Sequence, residues 1–136
     1  MPPFADNLQY PEPMSGVGLV MVVLTLGATA AALLIAGYLS ARGRLHPNLA
    51  FGIRTKYTLS DDEAWYTVHS LAAPWTIASG VAMAVPPTVV AFLDDSFLQM
   101  AVVLAPMGAG LVLLFLGVGR AERTARARAA RDAEAP

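Results

Sequence analysis

Apolar and polar positions do not alternate along this chain; they segregate. Residues 17–39, 70–93 and 97–119 form three stretches without a single charged side chain, and every charge lies between or beyond them. Each stretch exceeds the ~20 residues that a helix needs to cross a ~30 Å hydrocarbon core. The pattern predicts an all-α fold, a three-helix transmembrane bundle with helices over about residues 17–40, 64–91 and 97–119. Around this membrane domain, residues 17–119, the sequence sets a leader (1–16), a loop (42–63) between the first two helices and a basic tail (120–136). The leader has prolines and acids but no basic residue, so it reads as a flexible extracytoplasmic segment with Tyr10 at the outer interface, and not as a signal peptide.

Charge then orients the helices. Arg42, Arg44, Arg54 and Lys56 fall in the 42–63 loop, and Arg120, Arg123, Arg126, Arg128 and Arg131 fall in the tail. The leader and the Asp94–Asp95 turn carry no basic residue. Short cytoplasmic loops retain Lys and Arg, so the N-terminus is expected outside, with the loop and the C-terminus in the cytoplasm of a bacterial cell. Composition agrees: 56% hydrophobic and 14% charged residues in a chain of 136 leave room for one small membrane domain. There is no cysteine, which excludes disulfides, thiolate metal sites and a cysteine nucleophile.

The helices carry few polar marks. Thr25, Thr29, Thr76, Ser79, Thr88 and Gln99 interrupt the apolar composition, and no ionisable group lies deep in a span, which argues against an ion or proton path. Pro74 is expected to kink the second helix, and the Pro86–Pro87 pair to mark its outer boundary. Only Asp94, Asp95 and Ser96 separate the second and third apolar stretches, which predicts an antiparallel outer hairpin. Small residues, among them Gly27, Ala31, Ala32, Ala36, Gly80, Ala84, Gly108 and Gly110, suit close packing within the bundle or between copies of it.

The remaining chemistry is concentrated between His46 and His69. Ser60-Asp61-Asp62-Glu63 reads as a capping box, with Ser60 as the cap of a helix whose positive end Asp61, Asp62 and Glu63 complement. Helical spacing then places Trp65, His69, Ala72, Ala73, Thr76 and Gly80 on one face. Leu45, Leu49, Phe51 and Ile53 are expected in the headgroup layer, making a membrane-hugging loop that turns Arg54 and Lys56 toward anionic lipid headgroups. Arg54 is either such an anchor or a partner of Asp61, Asp62 or the carbonyls at the helix ends, fixing the loop against the bundle. Trp65 reads as an interfacial anchor and His69 as a satisfied interfacial histidine.

The string N-x-x-x-G-I-R-T-x-x-T-L-S-D-x-x-A-W-x-x-x-H, from Asn48 to His69 behind a transmembrane helix, resembles the signature of the SdpI family of bacterial membrane proteins. The resemblance implies that Asn48, Gly52, Ile53, Arg54, Thr55, Thr58, Ser60, Asp61, Trp65 and His69 form its motif or interaction site. It also implies immunity to a secreted toxic peptide, with a cytoplasmic repressor as a second partner of the inner loop.

Two histidines far apart lack recurrent metal-ligand spacing, and no hydrolase or phosphate-binding motif is present. Neither a cofactor, a metal nor catalysis is therefore expected. The tail favours helix through its alanines and the Glu122–Arg126 and Arg128–Asp132 pairs, and beside a membrane span its arginines suit anionic lipid before nucleic acid. The expected protein is a non-enzymatic immunity or signalling protein of the plasma membrane. An accessory subunit of a larger transporter or envelope enzyme is the alternative, and a transporter built as a homo-oligomer is the third class.

Overall fold

The computed structural model describes residues 11–48 and 50–135; the expectations for Tyr10 and Leu49 fall outside these. Helix α1 spans Gly16–Ala41 and α2 spans Asp62–Val89, which tightens into a 3-10 turn over Val90–Phe92. Helix α3 spans Ser96–Glu134. No strand occurs among the described residues, and each of the three helices is long and apolar enough to cross a membrane. At 1.5 Å per residue, the 39 residues of α3 extend about 58 Å, nearly twice a ~30 Å hydrocarbon core. The basic tail is thus a continuation of α3, without a break at Gly119.

The long contacts are those of α1 with α2 and of α2 with α3, so α2 is the middle of a three-helix layer. Lipid tails are as apolar as leucine, so these seams depend on how closely the backbones approach. Glycines on each helix permit that approach. A Cβ on Gly37 would stand 2.5 Å from Ile77 Cγ1, and one on Gly80 would stand 2.9 Å from Leu34 Cγ. Gly110 faces Met83 and Gly117 faces Trp75 across the α2–α3 seam. Gly108 has no such neighbour within 4 Å, so the small-residue pattern of the sequence does not assign it to a seam.

Pro86 and Pro87 do not end α2; the helix runs through them to Val89. Ending it inside lipid would strip partners from several backbone groups at once, whereas two prolines remove only two donors. Thr88 adds hydroxyl hydrogen bonds to the Ala84 and Val85 carbonyls in the same turn.

One polar side chain organises the end of the molecule that carries Asp94 and Asp95. Asp95 caps α3 by accepting from the Leu98 amide at 2.8 Å. One turn on, Gln99 is 2% exposed; its Nε2 donates to the Leu93 carbonyl at 2.8 Å and its Oε1 accepts from the Met14 amide at 2.5 Å. A single amide thus ties the segment before α1 to the α2–α3 hairpin. Gln99→Leu leaves both backbone partners unmatched and is expected to destabilise the protein by about 1–3 kcal/mol. Thermal unfolding in detergent checks this, with a clearly lowered midpoint for Gln99→Leu and an unchanged one for Gly108→Ala.

Candidate functional site

The motif residues lie at the opposite, basic end, where the 42–61 segment folds over the first turns of α2. Trp65 reaches back 20 positions, its indole Nε1 donating to the Leu45 carbonyl at 2.8 Å. The ring is 1% exposed and stacks on His69, with centroids 4.2 Å apart and planes at 28°. Trp65 is therefore not an interfacial anchor: its one donor is satisfied within the protein, so the indole is buried instead of reaching a headgroup. Leu45 is buried beside it and Ile53 packs inward, so neither side chain is turned out toward lipid headgroups; Phe51 is exposed.

His69 closes the loop. Its Nε2 accepts from the Ile53 amide at 2.8 Å, and its Nδ1 lies 2.8 Å from the Trp65 carbonyl. A backbone amide can only donate and a carbonyl can only accept, so the proton sits on Nδ1 and Nε2 is the bare nitrogen. Gly52 lies directly above this pair at φ +114°, and a Cβ there would stand 2.6 Å from His69 Nε2 and 3.1 Å from Trp65 Cη2. Both conformation and space demand glycine at this position.

The polar motif residues fold the loop on itself. Asn48 Oδ1 accepts from the Ala50 and Phe51 amides at 3.0 and 2.7 Å, while its Nδ2 donates to the His46 carbonyl, forming a side-chain turn. Thr58 is buried; its hydroxyl accepts from the Thr55 amide at 2.9 Å and donates to the Ile53 carbonyl at 2.7 Å, and the Thr58 amide donates back to Thr55 Oγ1. Ser60 is not the cap of α2. Its hydroxyl donates to the Tyr57 carbonyl at 2.7 Å, which closes the preceding turn, and Asp61 caps the helix by accepting from the Ala64 amide at 2.8 Å. A carboxylate is the stronger acceptor at the positive end of the helix. His46 pairs with the Tyr66 hydroxyl at 2.7 Å, so the two histidines engage different partners.

The extension of α3, which the alanine-rich tail and its i,i+4 pairs favour, completes the site by docking on the loop. Ala121 and Ala125 are buried against Val68 and Ala72, with Ile53, Tyr57 and Leu71 packed around them. Arg126 pairs with Glu122 and lies over the Tyr57 ring, 4.5 Å from its centroid. The readable signal was Ala121 and Ala125 at i, i+4, a small apolar stripe among the arginines.

Under the loop, where α1 and α3 diverge in front of α2, lies a cleft of about 560 Å³. Gly52, Ile53, Arg54, Thr55 and His69 line it from the motif, together with apolar walls from α1 and α3. Asn48, Thr58 and Trp65 bond the backbone of that lining, to Ala50 and Phe51, to Ile53 and to Leu45, whereas Ser60 and Asp61 bond elsewhere, at the start of α2. Arg54 brings the one formal charge among the lining residues. What this arrangement offers a ligand is shape, an apolar wall and a guanidinium.

Because Gly52 and His69 are in contact, their substitutions are expected to couple. Gly52→Ala should cost about 1–3 kcal/mol through strain and clash, and His69→Ala should orphan the Ile53 amide at a similar cost. In the double variant the added methyl no longer meets an imidazole, so the combined loss should fall short of the sum. Unfolding midpoints of the four proteins check this; strict additivity would mean that the contact is absent.

The model of the SdpI/YfhL protein family matches residues 44–119, from the loop through the apolar part of α3. None of the curated proteins or solved structures compared with the chain matches it. With more than half of its length matched, and the interlocked loop wholly inside the matched region, this multi-pass membrane protein belongs to the SdpI/YfhL protein family.

Proposed function

We propose that the protein acts without catalysis in a bacterial plasma membrane, giving resistance to a membrane-active toxic peptide and signalling through the motif loop. The observation that carries this reading is the engagement of the motif side chains with the loop's own backbone. Such a loop is built to keep one shape, which suits recognition. In this reading the basic end faces the cytoplasm, in line with the retention of Lys and Arg on that side. The exposed surface of the loop, with Lys56, then serves as the face for a cytoplasmic partner such as a repressor.

Orientation is open to a direct test because the native chain has no cysteine. In intact cells a membrane-impermeant maleimide should label Asp94→Cys and leave Lys56→Cys untouched until the membrane is opened. The reverse pattern would invert the proposed sidedness. For the function, a deletion strain should lose tolerance to at least one peptide in a panel of membrane-active peptides. Wild-type protein should restore it, and Arg54→Ala, present in equal amount, should not. Unchanged tolerance across the panel would refute the resistance reading, and a large membrane partner recovered at fixed stoichiometry in mild detergent would favour an accessory subunit.

A further inference from the structure

We propose that the cleft beneath the motif loop is a binding site for one anionic phospholipid, its phosphate at Arg54 and one acyl chain between α1 and α3. This goes beyond the resistance reading and does not depend on it.

The cleft opens at the end of the apolar segments. Arg42 lies over the Tyr38 ring at 4.9 Å and Arg120 over the Trp75 ring at 5.1 Å, so two arginine–aromatic pairs end the apolar parts of α1 and α3. Such pairs sit where hydrocarbon gives way to headgroups. Gly37 packs on Ile77 and Gly117 on Trp75, which places this boundary near the middle of α2 and the motif loop just beyond it. Arg54 and Thr55, in the roof of the cleft, thus lie at headgroup depth.

Polarity falls along the cleft. From the roof it descends past Ser40 and His69 to Leu33, Leu111 and Leu114. The lining on α1 runs from Ser40 to Leu33, about 10 Å along the helix axis. Phe115, 76% exposed, stands at the lip on the lipid-facing side, so a chain can enter sideways from the bilayer. The volume of about 560 Å³ falls within the range of small-molecule sites.

Charge narrows the choice of occupant. The lining holds the guanidinium of Arg54 and no carboxylate, so it complements an anion. The five donors of a guanidinium accommodate a phosphate oxygen alongside a contact within the protein. A peptide fits less well, because its backbone amides and carbonyls would face leucine and phenylalanine walls that cannot satisfy them, whereas an acyl chain brings no polar group into that region.

The test uses the full-length protein, purified in detergent, stripped of lipid and titrated with phosphatidylglycerol or phosphatidylcholine of the same chains, with adducts counted by native mass spectrometry. One phosphatidylglycerol should be retained, about tenfold more tightly than phosphatidylcholine. Arg54→Gln should remove that preference, loosening phosphatidylglycerol about tenfold more than phosphatidylcholine, whose choline cation already offsets the charge of its phosphate. Leu114→Trp, which fills the cleft and leaves the loop intact, should abolish retention of both lipids, with the unfolding midpoint showing that the variant is folded. Equal retention of the two lipids, a preference that survives Arg54→Gln, or retention by folded Leu114→Trp would overturn the proposal. So would stoichiometric displacement of bound phosphatidylglycerol by a polyleucine–alanine helix, which would assign the cleft to a peptide.

Discussion

The basic end of the molecule depends on one hydrogen bond, from the Ile53 amide to His69 Nε2. It joins a loop to a helix between packed side chains, and it exists only because the Trp65 carbonyl holds the imidazole proton on the other nitrogen. The stacked indole supports the ring from one side, and Gly52 lets the chain come down close enough for the amide to reach it. Removing any of these groups strands a buried backbone donor or opens space beneath the roof of the cleft. The motif spacing follows from this geometry. Trp65 and His69 are one helical turn apart so that the rings stack, and the Asn48 and Thr58 turns fold the intervening chain so that positions 52 and 53 arrive above them.

The two ends of the protein solve the same problem with different chemistry. Where Asp94 and Asp95 lie, a carboxamide gathers two stretches of backbone with its donor and acceptor. At the other end, an imidazole and two threonine hydroxyls do so. Between them the helices pack through glycine seams that need no polar contact at all. The specific hydrogen bonds are thus concentrated where chain leaves the hydrocarbon and must be held in a particular path.

Much of this was legible in the sequence. Segregation of charge from apolar residues yields the three helices, since only a helix satisfies its own backbone in lipid. The motif spacing identifies the family. The roles of the motif residues were less legible. Trp65 looks like an anchor because tryptophans gather at interfaces, but the carbonyl that satisfies it comes from Leu45, and no local rule finds a partner 20 positions away. Ser60 and Asp61 are both good helix caps, and only the turn at Tyr57 decides between them. Gln99 reads as a lone polar residue until its backbone partners are brought together by the hairpin. The docking of Ala121 and Ala125 depends on where the loop ends up, which composition does not encode.

The burial of Ala121 and Ala125 bears on how the protein is made. Chains emerge from the N-terminus onward, so α1, the loop and α2 are all synthesised before the residues that cover Val68 and Ala72 exist. Until the last turns of α3 arrive, Tyr57 lacks the arginine that stacks on it and an apolar patch beside the loop stays bare. The final architecture of the motif is therefore a late event in biogenesis. A chain released early would carry the full family signature in sequence while still exposing a sticky surface to the proteases and chaperones that survey the membrane.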